Sequence, residues 1–310
     1  MEKVIRTAVI GVGAFGQNHA RIVSGLDGTE LVAIVDHDSV RGQEIAAKLS
    51  TKYYERYQDI AGLVDAVIIV TPTSLHYEVG SFFISNHIHT FIEKPITSTS
   101  SEAEKLVQLT KNNNIILKVG HIERFNPAWL SVRSSIKKPL FIEARRISPF
   151  PERIKDSDVV IDMMIHDIDL VLDLIISPVT GLKAVGMKVL SDRFDMAQAR
   201  LEFENGSVAS ITASRVSPSK FRKLRVFEKD RYFSMDFLNR SSSITDVVND
   251  GGKKTLKVSK PEAVSADSLQ LELLDFFSAI RGEASRGVDG EEAASALKLA
   301  ERIVSDIHNK

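Results

Sequence analysis

The chain has 310 residues, 43% hydrophobic and 26% charged, with 40 Lys plus Arg against 41 Asp plus Glu and a formal net charge of -1. It is long enough for two domains of ordinary size, and its charge balance offers no cationic field to nucleic acid or an anionic membrane surface. With no cysteine, disulfides, thiolate zinc sites and cysteine nucleophiles are excluded, a cytoplasmic location is expected, and no apolar run approaches the roughly 20 residues that span a bilayer.

Residues 1–10 carry Glu2, Lys3 and Arg6 and run straight into a glycine turn. That predicts a first strand over 4–10, not a signal peptide. Short, β-branched runs apolar on both faces predict further buried parallel strands at 31–35, 66–70, 90–93 and 115–119. Helical stretches at 17–24, 40–48, 74–85 and 101–112 lie between them, and Ser101 with Glu104 has capping-box spacing. The alternation implies right-handed crossovers and a doubly wound parallel sheet of the Rossmann kind over 1–121.

The pattern then changes. Asn126-Pro127 reads as a helix start with Asn as N-cap. A strand at 140–146 and an apolar helix at about 159–176 follow. Strand-like runs come next at 182–190, 197–203, 207–213, 223–227 and 232–237, with Asn205-Gly206 as a hairpin signal. Residues 241–254, polar and glycine-containing, read as a mobile excursion. Helices at 269–280 and 291–308 close the chain and are candidates to pack back on the first domain. Residues 122–310 are thus predicted to form a second α/β domain with a largely antiparallel or mixed sheet.

Gly11-Val12-Gly13-Ala14-Phe15-Gly16 matches G-x-G-x-x-G, directly after a strand and opening a helix, and Asp36 stands 20 residues past Gly16. That is the dinucleotide-binding fingerprint. Gly11 permits the tight turn, Gly13 lets backbone approach a pyrophosphate, and Gly16 lets the helix lie close on the strand. The helix N-terminus offers N–H groups and partial positive charge to phosphate. Asp36 would accept from the adenosine ribose hydroxyls and repel a 2′-phosphate, favouring NAD over NADP, with His37 and Arg41 near enough to soften the preference.

Two segments suggest chemistry. Glu93-Lys94-Pro95 sits at the carboxyl end of a strand, the edge where doubly wound sheets bind ligands. Lys94 is aimed at that crevice, and His121 follows another strand end facing it. On the helix from 159, Asp162, His166, Asp169 and Asp173 fall at spacings of four, three and four and form one stripe on an otherwise apolar helix. Three carboxylates on one stripe call for a positive neighbour. The alternative is a merely solvated acidic face. A metal site is disfavoured, because His166 and its carboxylates come from one helix and no second spaced cluster accompanies them.

Together, the Gly11-to-Gly16 turn with His19, Thr71-Pro72-Thr73-Ser74-Leu75-His76, Glu93-Lys94-Pro95 and Asp162-x-x-x-His166 resemble the glucose-fructose oxidoreductase/inositol dehydrogenase/MocA family over most of the chain. The resemblance implies a Rossmann domain followed by an α/β domain with an open mixed sheet. It implies Lys94, Asp162 and His166 as the catalytic trio, Thr71, Pro72 and His76 lining the nicotinamide side, and Glu93 supporting the cofactor or Lys94. A homodimer or homotetramer is expected, burying one face of the second sheet. Val159-Val160-Ile161 stands where many members carry glycines, which bears on local loop shape.

Gly120-His121-Ile122-Glu123-Arg124-Phe125-Asn126-Pro127-Ala128 and the Met164-Ile165-His166-Asp167-Ile168-Asp169 run resemble the branch that oxidises C3 of UDP-N-acetylglucosamine. In that reading His121, Arg124 and Asn126 meet the substrate, with the planar fork of Arg124 on a phosphate or carboxylate. His166 would be the general base and Lys94 would stabilise the developing alkoxide. A dehydrogenase of a free polyol, inositol or sugar is the alternative, and an NAD-binding sensor without turnover a third.

Overall fold

The computed structural model describes residues 4–150, 157–262 and 266–309; of the N-terminal stretch read above, residues 1–3 lie outside it. Two compact units emerge. One runs through Ile122 and includes Leu269–Ser295; the other comprises Glu123–Ser268 and Ala296–Lys310.

In the first unit six parallel strands lie in the order β3-β2-β1-β4-β5-β6. They are β1 (Ile5–Ile10), β2 (Thr29–Val35), β3 (Lys52–Tyr54), β4 (Ala66–Ile69), β5 (His89–Glu93) and β6 (Leu117–Gly120). Helices α1 (Gly16–Val23), α2 (Ser39–Lys48), α3 (His76–Ser85) and α4 (Ser100–Asn113) alternate with them. The order reverses between β1 and β4, the switch point at which such sheets open a ligand crevice. α7 (Ser268–Ile280) packs on this sheet: Leu273, Phe276 and Phe277 are fully buried in one cluster with Val9, Ile34, Ile68 and Phe91. Each such side chain contributes about 1.5–3 kcal/mol of burial.

The short β3 has no three-residue apolar signal of its own, and the sequence reading lacks it. The capping box also sits two residues earlier than read. Thr99, in extended backbone, accepts from Glu102 N, and Glu102 reaches back to Thr99 N. Ser101 is already inside the helix, where its backbone cannot take the extended cap conformation.

The second unit is built on an eight-stranded sheet ordered β14-β13-β12-β11-β7-β10-β9-β8. Its strands are β7 (Phe141–Ile147), β8 (Val179–Met187), β9 (Met196–Phe203), β10 (Val208–Ser214), β11 (Phe221–Phe227), β12 (Arg231–Asp236), β13 (Ser241–Asp250) and β14 (Lys253–Ser259). Only β7 and β10 pair in parallel; the rest are antiparallel. The short helix α5 (Pro127–Leu130) starts on Asn126 as read, with Pro127 in its first turn. A π-helical turn at Val160–Met164 continues into α6 (Ile165–Leu174), which lies against β7 and β10. Ala144, Ala197, Ala199, Ala209 and Ala213 form the buried sheet face. Small side chains there let an apolar helix approach closely. α8 (Gly290–His308) begins in the first unit, and its residues from Ala296 belong to the second.

The Asn205-Gly206 hairpin is present, with Gly206 at φ 84° joining β9 to β10. The excursion read at 241–254 falls in the ordered β13–β14 hairpin. Gly251 and Gly252 take φ of 57° and 91°, the paired positive values of a two-residue hairpin turn. The segment is polar because it lies at the sheet edge with little cover; Ser242 and Ile244 of β13 are buried, Ile244 paired with Phe233 of β12.

Candidate active site

The glycine turn joins β1 to α1. Gly11 has φ +87°, and a Cβ on Gly16 would stand 1.9 Å from the Gly11 carbonyl oxygen, so side chains are excluded at both. At Gly13 a Cβ would meet no protein atom within 4 Å. The protein does not require glycine there; an approaching ligand would. That open cradle is the shape a pyrophosphate needs. Phe15, at the mouth, is 65% exposed, and Ala14 is exposed beside it.

Asp36, at the end of β2, is buried and heavily bonded. Val12 N and Arg41 Nε donate to Oδ2, while Asp38 N and Arg41 Nη2 donate to Oδ1. Burial pushes its pKa up, but the hydrogen bonds from Arg41, Asp38 N and Val12 N outweigh this and hold the carboxyl below its ordinary value. His37 Nδ1 is 3.4 Å away and its ring is exposed. Asp36 thereby ties the glycine turn to the second strand, a role its spacing does not reveal.

Thr71 and Pro72 follow β4, Glu93 ends β5, and Lys94 and Pro95 follow it. The Thr71 hydroxyl is buried without a hydrogen-bond partner among the described residues, a polar atom left for a ligand to satisfy. His76, 1% exposed, presents Nδ1 to Pro95 O at 2.8 Å and Nε2 to Thr71 O at 2.9 Å, linking the two loops. Burial lowers its pKa against the raising effect of those carbonyls. His19 of α1, also buried, meets Glu93 Oε1 at 2.8 Å through Nε2. Burial raises the Glu93 pKa; His19 and the nearby Lys94 charge bring it below the ordinary value. The backbone N–H of Lys94 donates to Glu93 Oε2, and the Lys94 side chain is half-buried. His121, at the end of β6, is 1% exposed.

In the second unit, Asp162 lies in the π-helical turn and His166 in the first turn of α6, both partly exposed on a largely buried segment. The positive neighbour that the acidic stripe demands is Arg124. Its Nε and Nη2 donate to Asp169 at 2.8 Å each, and Nη1 donates to Asp173 at 2.7 Å. Arg133 also pairs with Asp173. The fork read as a substrate contact is closed on carboxylates of its own unit. Asn126 is similarly engaged: Oδ1 caps Ala128 N, and Nδ2 donates to Glu123 Oε2 and to Phe237 O.

A second buried network escapes sequence reading. Arg146 of β7 donates twice to Asp167 at 3.0 Å and once to Glu123 at 2.8 Å. Burial raises the Asp167 pKa, with Arg146 opposing it. One signal existed: alternation along β7 places Arg146 on the buried face with Ile142 and Ala144, where a guanidinium requires a carboxylate. Glu123 and Arg124 thus bind adjacent points on α6, one through Arg146 and one directly. Among the described residues no three His, Asp or Glu side chains form a metal ligand set, and no helix is long and apolar enough to cross a membrane.

An all-parallel sheet with a glycine cradle and an acid on the next strand, followed by a mixed-sheet unit, defines a two-domain nicotinamide-dependent oxidoreductase. The family model for oxidoreductases of the GFO/IDH/MocA type with an NAD-binding Rossmann fold matches residues 5–121, and the GFO/IDH/MocA C-terminal domain matches 131–230. The chain belongs to the GFO/IDH/MocA family and is an NAD-dependent dehydrogenase. It is 36% identical over 303 residues to UDP-N-acetylglucosamine 3-dehydrogenase of Acidithiobacillus ferrooxidans, covering 96% of each chain. The solved structure of that enzyme, GnnA, superposes with a TM-score of 0.92 over 98% of both chains. The chain is also 32% identical to scyllo-inositol 2-dehydrogenase (NAD(+)) of Bacillus subtilis, over 70% of this chain and 69% of the relative. Levoglucosan dehydrogenase, solved with NADH, shares the fold at a TM-score of 0.87 and 16% identity.

Proposed function

We propose that the protein oxidises a secondary hydroxyl of a sugar nucleotide, the C3 hydroxyl of UDP-N-acetylglucosamine, using NAD. The observation that carries this reading is the partly exposed Asp162–His166 pair on a helix fixed by two buried arginine networks. The 36% identity to a UDP-N-acetylglucosamine 3-dehydrogenase over 96% of the chain supports the substrate.

Gly11, Gly13, Ala14, Phe15 and Gly16 hold the pyrophosphate, Asp36 receives the adenosine ribose, and Thr71, Pro72 and Glu93 border the nicotinamide. NAD, when bound, supplies the hydride acceptor. Lys94 donates a hydrogen bond to the reacting oxygen and stabilises negative charge as it develops. His166 removes the hydroxyl proton and passes it to solvent; an imidazole suits that step near neutral pH. Asp162 orients the sugar hydroxyls or biases the His166 tautomer. His121 borders the substrate. Arg124 and Asn126, read from sequence as substrate contacts, act by holding α6 and the turn before α5.

The test is NAD reduction with UDP-N-acetylglucosamine, UDP-glucose and free inositols in parallel. Turnover concentrated on the N-acetylated nucleotide supports the reading. Turnover on free inositol alone overturns it in favour of a polyol dehydrogenase, the activity of the relative at 32% identity.

We place the enzyme in the cytoplasm, consistent with a chain free of cysteine. It acts as a homo-oligomer, dimer or tetramer. The uncovered face of its second sheet carries Phe141, Phe227 and Tyr232 in ring contact, with exposed Leu256 and Val258.

A further inference from the structure

With Arg124 closed on Asp169 and Asp173, an anionic substrate needs another cation on the α6 side of the second sheet. Arg222, near the start of β11, stands opposite Arg146 in the β7–β11 ladder, about 5 Å away as adjacent strands are spaced. Its side chain is 40% exposed, and Nη1 comes no closer than 3.7 Å to Glu123 Oε1, the one ion pair it makes among the described residues. That is beyond hydrogen-bond length. Glu123 is already engaged, Oε1 by Arg146 and Oε2 by Asn126. No hydrogen bond from the Arg222 guanidinium is present among the described residues, so its planar fork is open to a ligand.

We propose that Arg222 is the anion-binding residue of the substrate site and takes an oxygen of the diphosphate of a nucleoside-diphosphate sugar. The placement fits the chemistry. Arg146 holds Asp167, the residue after His166, and Arg222 lies one strand further along the same face. In this proposal a sugar whose hydroxyl reaches His166 extends its anomeric phosphate toward Arg222. Electrostatics supports it as well: burial and the like charge of Arg146 lower the pKa of Arg222, so a bound oxyanion relieves the repulsion. A fork that offers two parallel N–H groups matches phosphate better than an ammonium does.

This inference rests on the sugar-nucleotide reading, and the experiment separates the two. UDP serves as the probe, titrated into wild-type, Arg222→Gln and Arg222→Lys proteins in the presence of NADH. Steady-state oxidation of UDP-N-acetylglucosamine is measured in parallel. Arg222→Gln is expected to weaken UDP binding and raise KM by about tenfold or more, with kcat changed less than about threefold, as for loss of one charge-assisted contact. Arg222→Lys is expected to recover part of the affinity, and the glutamine variant to show a flatter salt dependence. Unchanged UDP affinity in Arg222→Gln, with active wild-type enzyme, overturns the Arg222 assignment alone. A wild-type protein that binds no UDP and turns over only free polyols overturns the substrate reading and the assignment with it.

Discussion

Arg124 and Asp169 meet fork to fork, with Nε and Nη2 each donating across 2.8 Å to a different carboxylate oxygen. Their side chains are 7% and 1% exposed. Desolvation makes such a pair a modest source of net stability, but removing one partner strands the other as a buried charge. Arg124→Gln is therefore expected to destabilise the second unit by about 3–5 kcal/mol, a melting shift of roughly 6–20 °C. Combining it with Asp169→Asn should recover a large part of the loss. Thermal unfolding of the single and double variants measures this. Additive losses would show that the pair does not act as a unit.

Lys94→Ala is expected to lower kcat by about 10²–10³, the usual effect of losing one donor to a developing oxyanion. His166→Asn should cost about 10²–10⁴ at neutral pH. NAD affinity, followed by fluorescence titration of NADH, should stay within a few-fold in both. Wild-type turnover in either variant removes that side chain from the mechanism.

In the proposed reading, cofactor choice is set at Asp36 and its partner Arg41. Replacing Asp36 with Ser would remove the charge expected to repel a 2′-phosphate and release Nε and Nη2 of Arg41. The ratio of kcat/KM for NAD over NADP is expected to fall by about tenfold or more, roughly 1.4 kcal/mol. An unchanged ratio would place discrimination elsewhere in the first unit.

Acid sensitivity follows from the same carboxylate. The Asp36 pKa is depressed in the folded protein, so its stabilising effect is complete above its ordinary value of 3.8 and is lost as pH falls toward the depressed value. The melting difference between wild type and Asp36→Asn should thus hold steady from pH 7 to about pH 5 and shrink below pH 4. A constant difference down to pH 3 would contradict the depressed value.

Legibility in the sequence followed the range of the interaction. The glycine turn, Asp36 after its strand, the Asn205-Gly206 hairpin and the Asn126 cap all arise among residues close along the chain or set by the regular rise of one strand–helix unit. The β13–β14 hairpin was equally local. Its Asp250-Gly251-Gly252-Lys253 turn was a sufficient signal, obscured by the polarity of an edge strand with little cover.

The sequence by itself determined the doubly wound first sheet, the cofactor turn and the stripe of Asp162, His166, Asp169 and Asp173, because periodicity and backbone sterics act over a few residues. Only the tertiary structure decided that Arg124 serves that stripe from 45 residues away, that Arg146 neutralises Asp167, that α7 covers the first sheet, and that Arg222 keeps its fork open. Partner choice among buried charges depends on which chains of atoms packing brings within 3 Å after desolvation, and no local pattern encodes that.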